Sequence, residues 1–63
     1  MMNEDVLSLL KKKIRDQMNE LADHLAIGGA KNMEEYRRTC GMIEGLAWTE
    51  REVINIEDKL KEL

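Results

Sequence analysis

The chain has 63 residues, one cysteine, no proline and a formal net charge of −3. A chain this short forms one small domain at most, and such domains are marginally stable unless a disulfide, a metal or another chain supports them. Cys40 alone cannot form an intrachain disulfide, and one cysteine with one histidine falls short of the four ligands of a structural zinc site. We therefore expect oligomerisation or docking on a larger partner.

Composition also argues against several functional classes. Charged residues make up 37% of the chain, which is typical of long helices and coiled coils. The weakly acidic balance argues against a protein that binds nucleic acid through a basic face. No segment has the apolar length of a signal peptide or a membrane span, so we expect no membrane association. A free thiol fits the reducing cytoplasm.

The first predicted helix covers residues 4–27 and begins near Asn3 to Asp5, whose acidic groups suit a helix N-terminus. Apolar residues recur along it at spacings of three and four, which indicates one buried face. This stripe consists of Leu7, Leu10, Ile14, Met18, Leu21 and Leu25. The pair Gly28-Gly29 ends the helix, because glycine adopts the left-handed conformation that follows a helix.

The second predicted helix covers residues 33–62. Its start is marked by a capping box, in which the Asn32 side chain accepts from the Glu35 amide and Glu35 accepts from the Asn32 amide. Only Gly41 and Gly45 interrupt it, at about 1 kcal/mol each relative to alanine. Its main face consists of Tyr36, Cys40, Ile43, Leu46, Glu50, Val53, Ile54, Ile56 and Leu60.

The turn between the helices, residues 28–31, is short enough to require antiparallel neighbours. The predicted fold class is all-α: an antiparallel two-helix hairpin with the second helix longer, completed by oligomerisation or docking. The turn length sets a register that pairs Leu25 with Tyr36, Met18 with Ile43, Ile14 with Leu46, Leu10 with Glu50 and Leu7 with Val53. Lys11 or Lys13 is then expected to reach Glu50, and residues 58–63 to overhang the first helix.

The candidate contact surface is the back of the second helix. Gly41, Gly45 and Trp48 follow the spacing i, i+4, i+7 and therefore share one face, away from the apolar stripe. Two small residues one turn apart let another helix approach closely, and tryptophan is enriched at binding hot spots. Leu60 and Leu63, in the expected overhang, extend this protein-interaction surface. The alternatives are glycines that only relieve crowding and a tryptophan folded over the hairpin edge.

The cysteine, the histidine and the charged residues give only weak indications of a catalytic or nucleic-acid-binding site. His24 and Cys40 could face each other across the hairpin, but no orienting group for a nucleophile accompanies them, so a buried thiol and an edge histidine are favoured. The basic run Lys11-Lys12-Lys13 with Arg15 is interpreted as a solvated face that pairs with carboxylates such as Glu50, Glu52 or Glu57. Paired acids need a pocket to act in catalysis, and a hairpin offers none. We expect no enzyme activity, cofactor or metal.

One sequence pattern indicates the biological system to which the chain could belong. The residues Gly28-Gly29-Ala30-Lys31-Asn32, then Glu35-Tyr36, then Gly41-Met42-Ile43-Glu44-Gly45-Leu46 form a G-x-A-K-N…E-Y…G-x-I-x-G-L pattern. The pattern resembles that of short helical proteins of tailed bacteriophages. The resemblance implies a small phage protein, such as a virion accessory, and transfers no catalytic residue.

The expected function is a non-enzymatic phage structural or interaction protein, located in the virion or the host cytoplasm. It would self-associate as a homo-oligomer or dock on a larger virion assembly through the back of its second helix. The alternative is a phage-encoded regulator that binds and inhibits a host enzyme or polymerase. An RNA-binding hairpin dimer is a third possibility by architectural analogy, but the basic stripe that it needs is missing.

Overall fold

The computed structural model describes residues 5–63, which form two α-helices, α1 (Val6–Ala26) and α2 (Met33–Lys61). The helices pack side by side as an antiparallel hairpin, with dimensions of 48 × 19 × 12 Å. The predicted all-α hairpin with a longer second helix is confirmed. The predicted start of the first helix at Asn3 or Glu4 lies outside the described residues.

The first helix begins at a side-chain cap. The Asp5 carboxylate accepts a hydrogen bond from the Ser8 backbone N–H at 2.9 Å. Such a cap satisfies one of the amides that have no partner in the first turn of a helix. Because the hydrogen bond from Ser8 favours the charged carboxylate, the pKa of Asp5 is lowered below its ordinary value.

The end of α1 is a Schellman motif, and this motif requires glycine. Gly28 has φ +76°, and its N–H donates to the Leu25 carbonyl at 3.1 Å. The Gly29 N–H donates to the His24 carbonyl at 2.8 Å, which completes the paired hydrogen bonds of the motif. The His24 imidazole packs so closely on Gly29 that a Cβ there would overlap the ring.

The second helix has the predicted cap but a different return hydrogen bond. The Asn32 side chain accepts from the Glu35 N–H at 2.8 Å. The Glu35 carboxylate accepts from the Lys31 N–H at 3.0 Å, so the predicted bond to the Asn32 amide is wrong by one residue. Asn32 has an extended backbone, with φ −155° and ψ 176°, which brings the preceding amide over the first turn of α2.

The hydrophobic core between the helices is very small. Only Ile14, Met18 and Val53 are buried among the described residues, and no described side chain is fully enclosed. Their neighbours Leu7, Ile43, Leu46 and Ala47 are half-buried and pack against them. Several residues that were predicted to line the core are instead substantially exposed, namely Leu10, Tyr36, Ile54, Ile56 and Leu60.

Two ion pairs define the register between the helices. Arg15 pairs with Glu50 at 2.7 Å and Lys11 with Glu57 at 2.8 Å. The prediction that Lys11 or Lys13 reaches Glu50 is therefore wrong. Relative to the predicted register, α2 is displaced along α1 by about one helical turn or more.

This displacement removes the predicted overhang at the C-terminal end of α2. Leu60 and Lys61 line the same shallow groove as Asp5, Leu7 and Ser8, so the last turn of α2 lies level with the start of α1. The observed register is possible because residues 27–32, between the two helices, form a longer connection than the predicted four-residue turn. We infer that the N-terminal turn of α2 extends beyond α1, which accounts for the half-exposed side chain of Tyr36.

Candidate interaction surface

The back of α2 carries Gly41, Gly45 and Trp48, as their spacing predicts. An alanine Cβ built at either glycine meets no heavy atom within 4 Å, so neither glycine relieves crowding in the hairpin. The Trp48 side chain is 65% exposed and is therefore not folded down over the hairpin edge. These three residues, which we call the glycine face, are open to solvent on the side of α2 opposite α1.

The structure does not bring the two predicted C-terminal contact residues onto the glycine face as one continuous surface. Leu60 lies beside the groove that contains Leu7, at the boundary between the two helices. Leu63 follows the end of α2 and is 99% exposed. Of the five residues proposed from the sequence, Gly41, Gly45 and Trp48 therefore share one side of α2, Leu60 lies on another, and Leu63 lies beyond its C-terminal end.

A second surface on α2 was not recognised from the sequence. Seven residues recur at alternating spacings of four and three, which is the heptad repeat of a helix-packing seam. We call these residues the seam: Met42, Leu46, Thr49, Val53, Ile56 and Leu60 in α2, and Leu63 directly after its C-terminal end. At 100° per residue, the seam lies about 80° around the helix from the glycine face. Sequence reasoning missed it because four seam residues had been assigned to the face that packs on α1.

The seam is only partly covered by α1. Val53 is buried and Leu46 is half-buried, but Met42 and Ile56 are about half exposed, at 50% and 49%. The single polar member, Thr49, donates its hydroxyl hydrogen to the Gly45 carbonyl oxygen at 2.9 Å. This local bond satisfies the hydroxyl within its own helix, so Thr49 can present its methyl group to a partner.

Further apolar surface lies at the open end of the hairpin. Val6, Leu9 and Leu10 of α1 are all exposed, and Lys11 connects this part of α1 to Glu57 of α2. These three side chains therefore lie at the same end of the molecule as the C-terminal half of the seam. Exposed apolar side chains of both helices therefore lie at this end of the molecule.

The basic run of α1 is a paired, solvated face. Lys12 pairs with Asp16 within α1 at 3.2 Å, and Lys11 and Arg15 pair with carboxylates of α2. The prediction that this run pairs with carboxylates of α2 is confirmed for Lys11 with Glu57 and for Arg15 with Glu50. The hydrogen bond to Glu57 raises the pKa of Lys11 above its ordinary value, because it favours the charged ammonium group.

His24 and Cys40 have separate environments. His24 packs on Gly29 in the turn, and the Cys40 thiol is half-buried on α2. Between residues 5 and 63, no group of three or more histidine, cysteine, aspartate or glutamate side chains is placed to hold a metal ion. Neither described helix combines the length and the apolar character needed to cross a membrane.

Comparisons with known proteins identify no relative: no protein-family model, curated protein or solved structure matches the chain. The resemblance to short phage proteins therefore stays a prediction.

Proposed function

We propose that the chain is a non-enzymatic interaction protein that self-associates or docks on a larger assembly through α2. The observation that carries this proposal is the imbalance between buried and exposed apolar side chains. Among residues 5–63, three hydrophobic residues are buried, whereas twelve large ones are exposed, including four on the seam. Burial of apolar surface is the main driving force of folding and association, and this hairpin leaves many large apolar side chains exposed to water.

The glycine face supports docking of a foreign helix. Each glycine in the interior of a helix costs about 1 kcal/mol relative to alanine. No crowding within the hairpin accounts for this cost at Gly41 or Gly45, because both face open space. A smooth surface beside the exposed Trp48 allows the close approach of a partner backbone, with the indole as an anchor.

The proposed setting is a phage virion, and this rests on the sequence resemblance alone. The alternative setting is a host enzyme or polymerase that the chain would inhibit. In either setting α2 supplies the contact, so the two share a surface and differ in the partner that is bound.

A capture experiment with a matched variant tests docking through the glycine face. The immobilised full chain is compared with a Gly41→Leu/Trp48→Ala double variant, using infected and uninfected host lysates. We expect virion proteins to be retained by the wild type and lost from the variant, whose helicity by circular dichroism is unchanged or higher. Retention of the same proteins by both chains contradicts docking through this face, and loss of a single host protein supports the regulator instead.

A further inference from the structure

We propose that the occupant of the seam is a second copy of this chain, which packs antiparallel along α2 about a two-fold axis. This inference deepens the proposed function and rests on it, since it names one partner and one surface. In the register derived below, Gly41 and Gly45 would lie beyond the end of the second copy and stay available for another protein. The dimer would be a four-helix arrangement in which each hairpin completes the core of the other.

The area of the seam is appropriate for a copy-to-copy contact. The exposed seam side chains that the second copy can cover, Ile56, Leu60 and Leu63, present on the order of 400 Å² of apolar surface per copy, whereas a standard interface buries roughly 800 Å² per partner. Homodimer interfaces are about 65% apolar, so the seam supplies most of the apolar share. Flanking polar side chains and exposed apolar residues at the start of α1 would supply the remainder.

Charge complementarity selects the antiparallel register. Glu52 and Lys59 are exposed, lie seven residues apart and flank the same side of the seam. In an antiparallel pair these flanking positions face their counterparts in the other helix. When the two-fold axis passes midway between Val53 and Ile56, Val53 of one copy lies level with Ile56 of the other. Glu52 of each copy then faces Lys59 of the other, which forms two ion pairs related by the axis.

The same register places seam residues level with one another. Leu60 lies level with Thr49 of the second copy, and Leu63 lies level with Leu46. Shifting the copies by one heptad so that Met42 lies level with Leu60 would instead bring Glu52 close to Glu52 of the second copy. Like charges at that position destabilise the pair, so the first register is favoured.

The first test compares two adjacent substitutions that introduce the same charge. Ile56→Glu places a carboxylate in the seam, whereas Asn55→Glu places one on the neighbouring exposed position. By light scattering after size exclusion, we expect wild type and Asn55→Glu at about 15 kDa, twice the chain mass of 7.3 kDa, and Ile56→Glu at the monomer mass. If Ile56→Glu is a dimer, or if both variants are monomers, the assignment of the seam is overturned.

A variant that should strengthen the dimer provides a second test if Ile56→Glu unfolds the hairpin. Thr49→Ile replaces the one polar seam residue, whose hydroxyl donates to the Gly45 carbonyl of its own helix. Because this change acts twice in a symmetric dimer, we expect the dissociation constant to fall by about tenfold or more. An unchanged or weaker dissociation constant contradicts the proposal.

A charge exchange tests the antiparallel register. Glu52→Lys and Lys59→Glu should each weaken their own homodimer by roughly tenfold, because both inter-copy ion pairs become repulsive. Mixing the two variants should restore a tight heterodimer, and the double variant should restore the homodimer. If mixing restores nothing while the wild type is dimeric, the register is wrong. A monomeric wild type refutes the copy as occupant, but leaves docking through the glycine face to be judged by the capture experiment.

Discussion

Arg15 and Glu50 form a bidentate ion pair that joins the middle of α1 to α2. The Arg15 Nη2 and Nε atoms donate to the two carboxylate oxygens of Glu50, at 2.7 and 3.1 Å. The planar guanidinium matches a carboxylate in this geometry, so the pair specifies position along the helices as well as contributing energy. Together with the Lys11–Glu57 pair, it fixes the register of a hairpin whose apolar core is too small to do so alone.

Removing this pair should destabilise the hairpin more than removing a pair within one helix. We expect Arg15→Ala to lower the free energy of unfolding by about 0.5–1 kcal/mol, since the pair is only partly shielded from water. Lys12→Ala removes the exposed Lys12–Asp16 pair and should cost about 0.3 kcal/mol or less. Urea denaturation at one fixed protein concentration measures both, and equal losses would contradict the role of Arg15 in register.

The helix elements and their caps were predictable from the sequence, because they depend on local chemistry. The Asn32 cap and the glycine stop after α1 both appear where the residue types require them. The register was not predictable, because stripes with spacings of three and four pack almost equally well after a slide of one turn. Long side chains such as Arg15 then select the register. Their partners on the other helix cannot be predicted from residue spacing within one helix.

Part of the candidate surface was also predictable. The exposed glycine face follows from helical spacing alone, since Gly41, Gly45 and Trp48 must share a side of α2. The seam was overlooked because Leu46 and Val53 belong both to it and to the face that packs on α1. Only the exposed fractions of Met42 and Ile56 separate the two surfaces.

Glycines in the turn and in the helix should respond oppositely to alanine. Gly28→Ala forces an L side chain into φ +76° and should destabilise the protein by about 1–2 kcal/mol. Gly41→Ala meets open space and removes a helix-interior glycine, so it should stabilise the protein by about 1 kcal/mol. Thermal unfolding followed by circular dichroism provides both values, and a destabilised Gly41→Ala would mean that this position is already in contact with another chain.

The Lys11–Glu57 pair predicts a dependence of stability on alkaline pH. Because the pKa of Lys11 is raised in the folded state, its stabilising contribution is complete below the ordinary lysine value and is lost as pH rises through the folded value. The stability difference between wild type and Lys11→Gln should therefore be constant near neutral pH and shrink above about pH 10.5. A difference that grows with alkaline pH would contradict the ion pair.

Trp48 provides a spectroscopic distinction between the two surfaces of α2. It is the only tryptophan in the chain, and its exposed indole lies on the glycine face rather than on the seam. We expect its emission maximum and its quenching by acrylamide to be the same in wild type and in the Ile56→Glu monomer. A blue shift should appear only when a docking partner covers the glycine face. A shift on self-association alone would place Trp48 in the copy-to-copy contact.

The most direct test of the central claim, that the seam of α2 binds a second copy of the chain, is the solution mass of the wild-type chain over a wide concentration range. Light scattering between about 5 and 500 µM should show a monomer–dimer equilibrium that shifts to the dimer, with a melting temperature that rises with concentration. A folded chain that remains at 7.3 kDa throughout, with a constant melting temperature, would contradict self-association through α2.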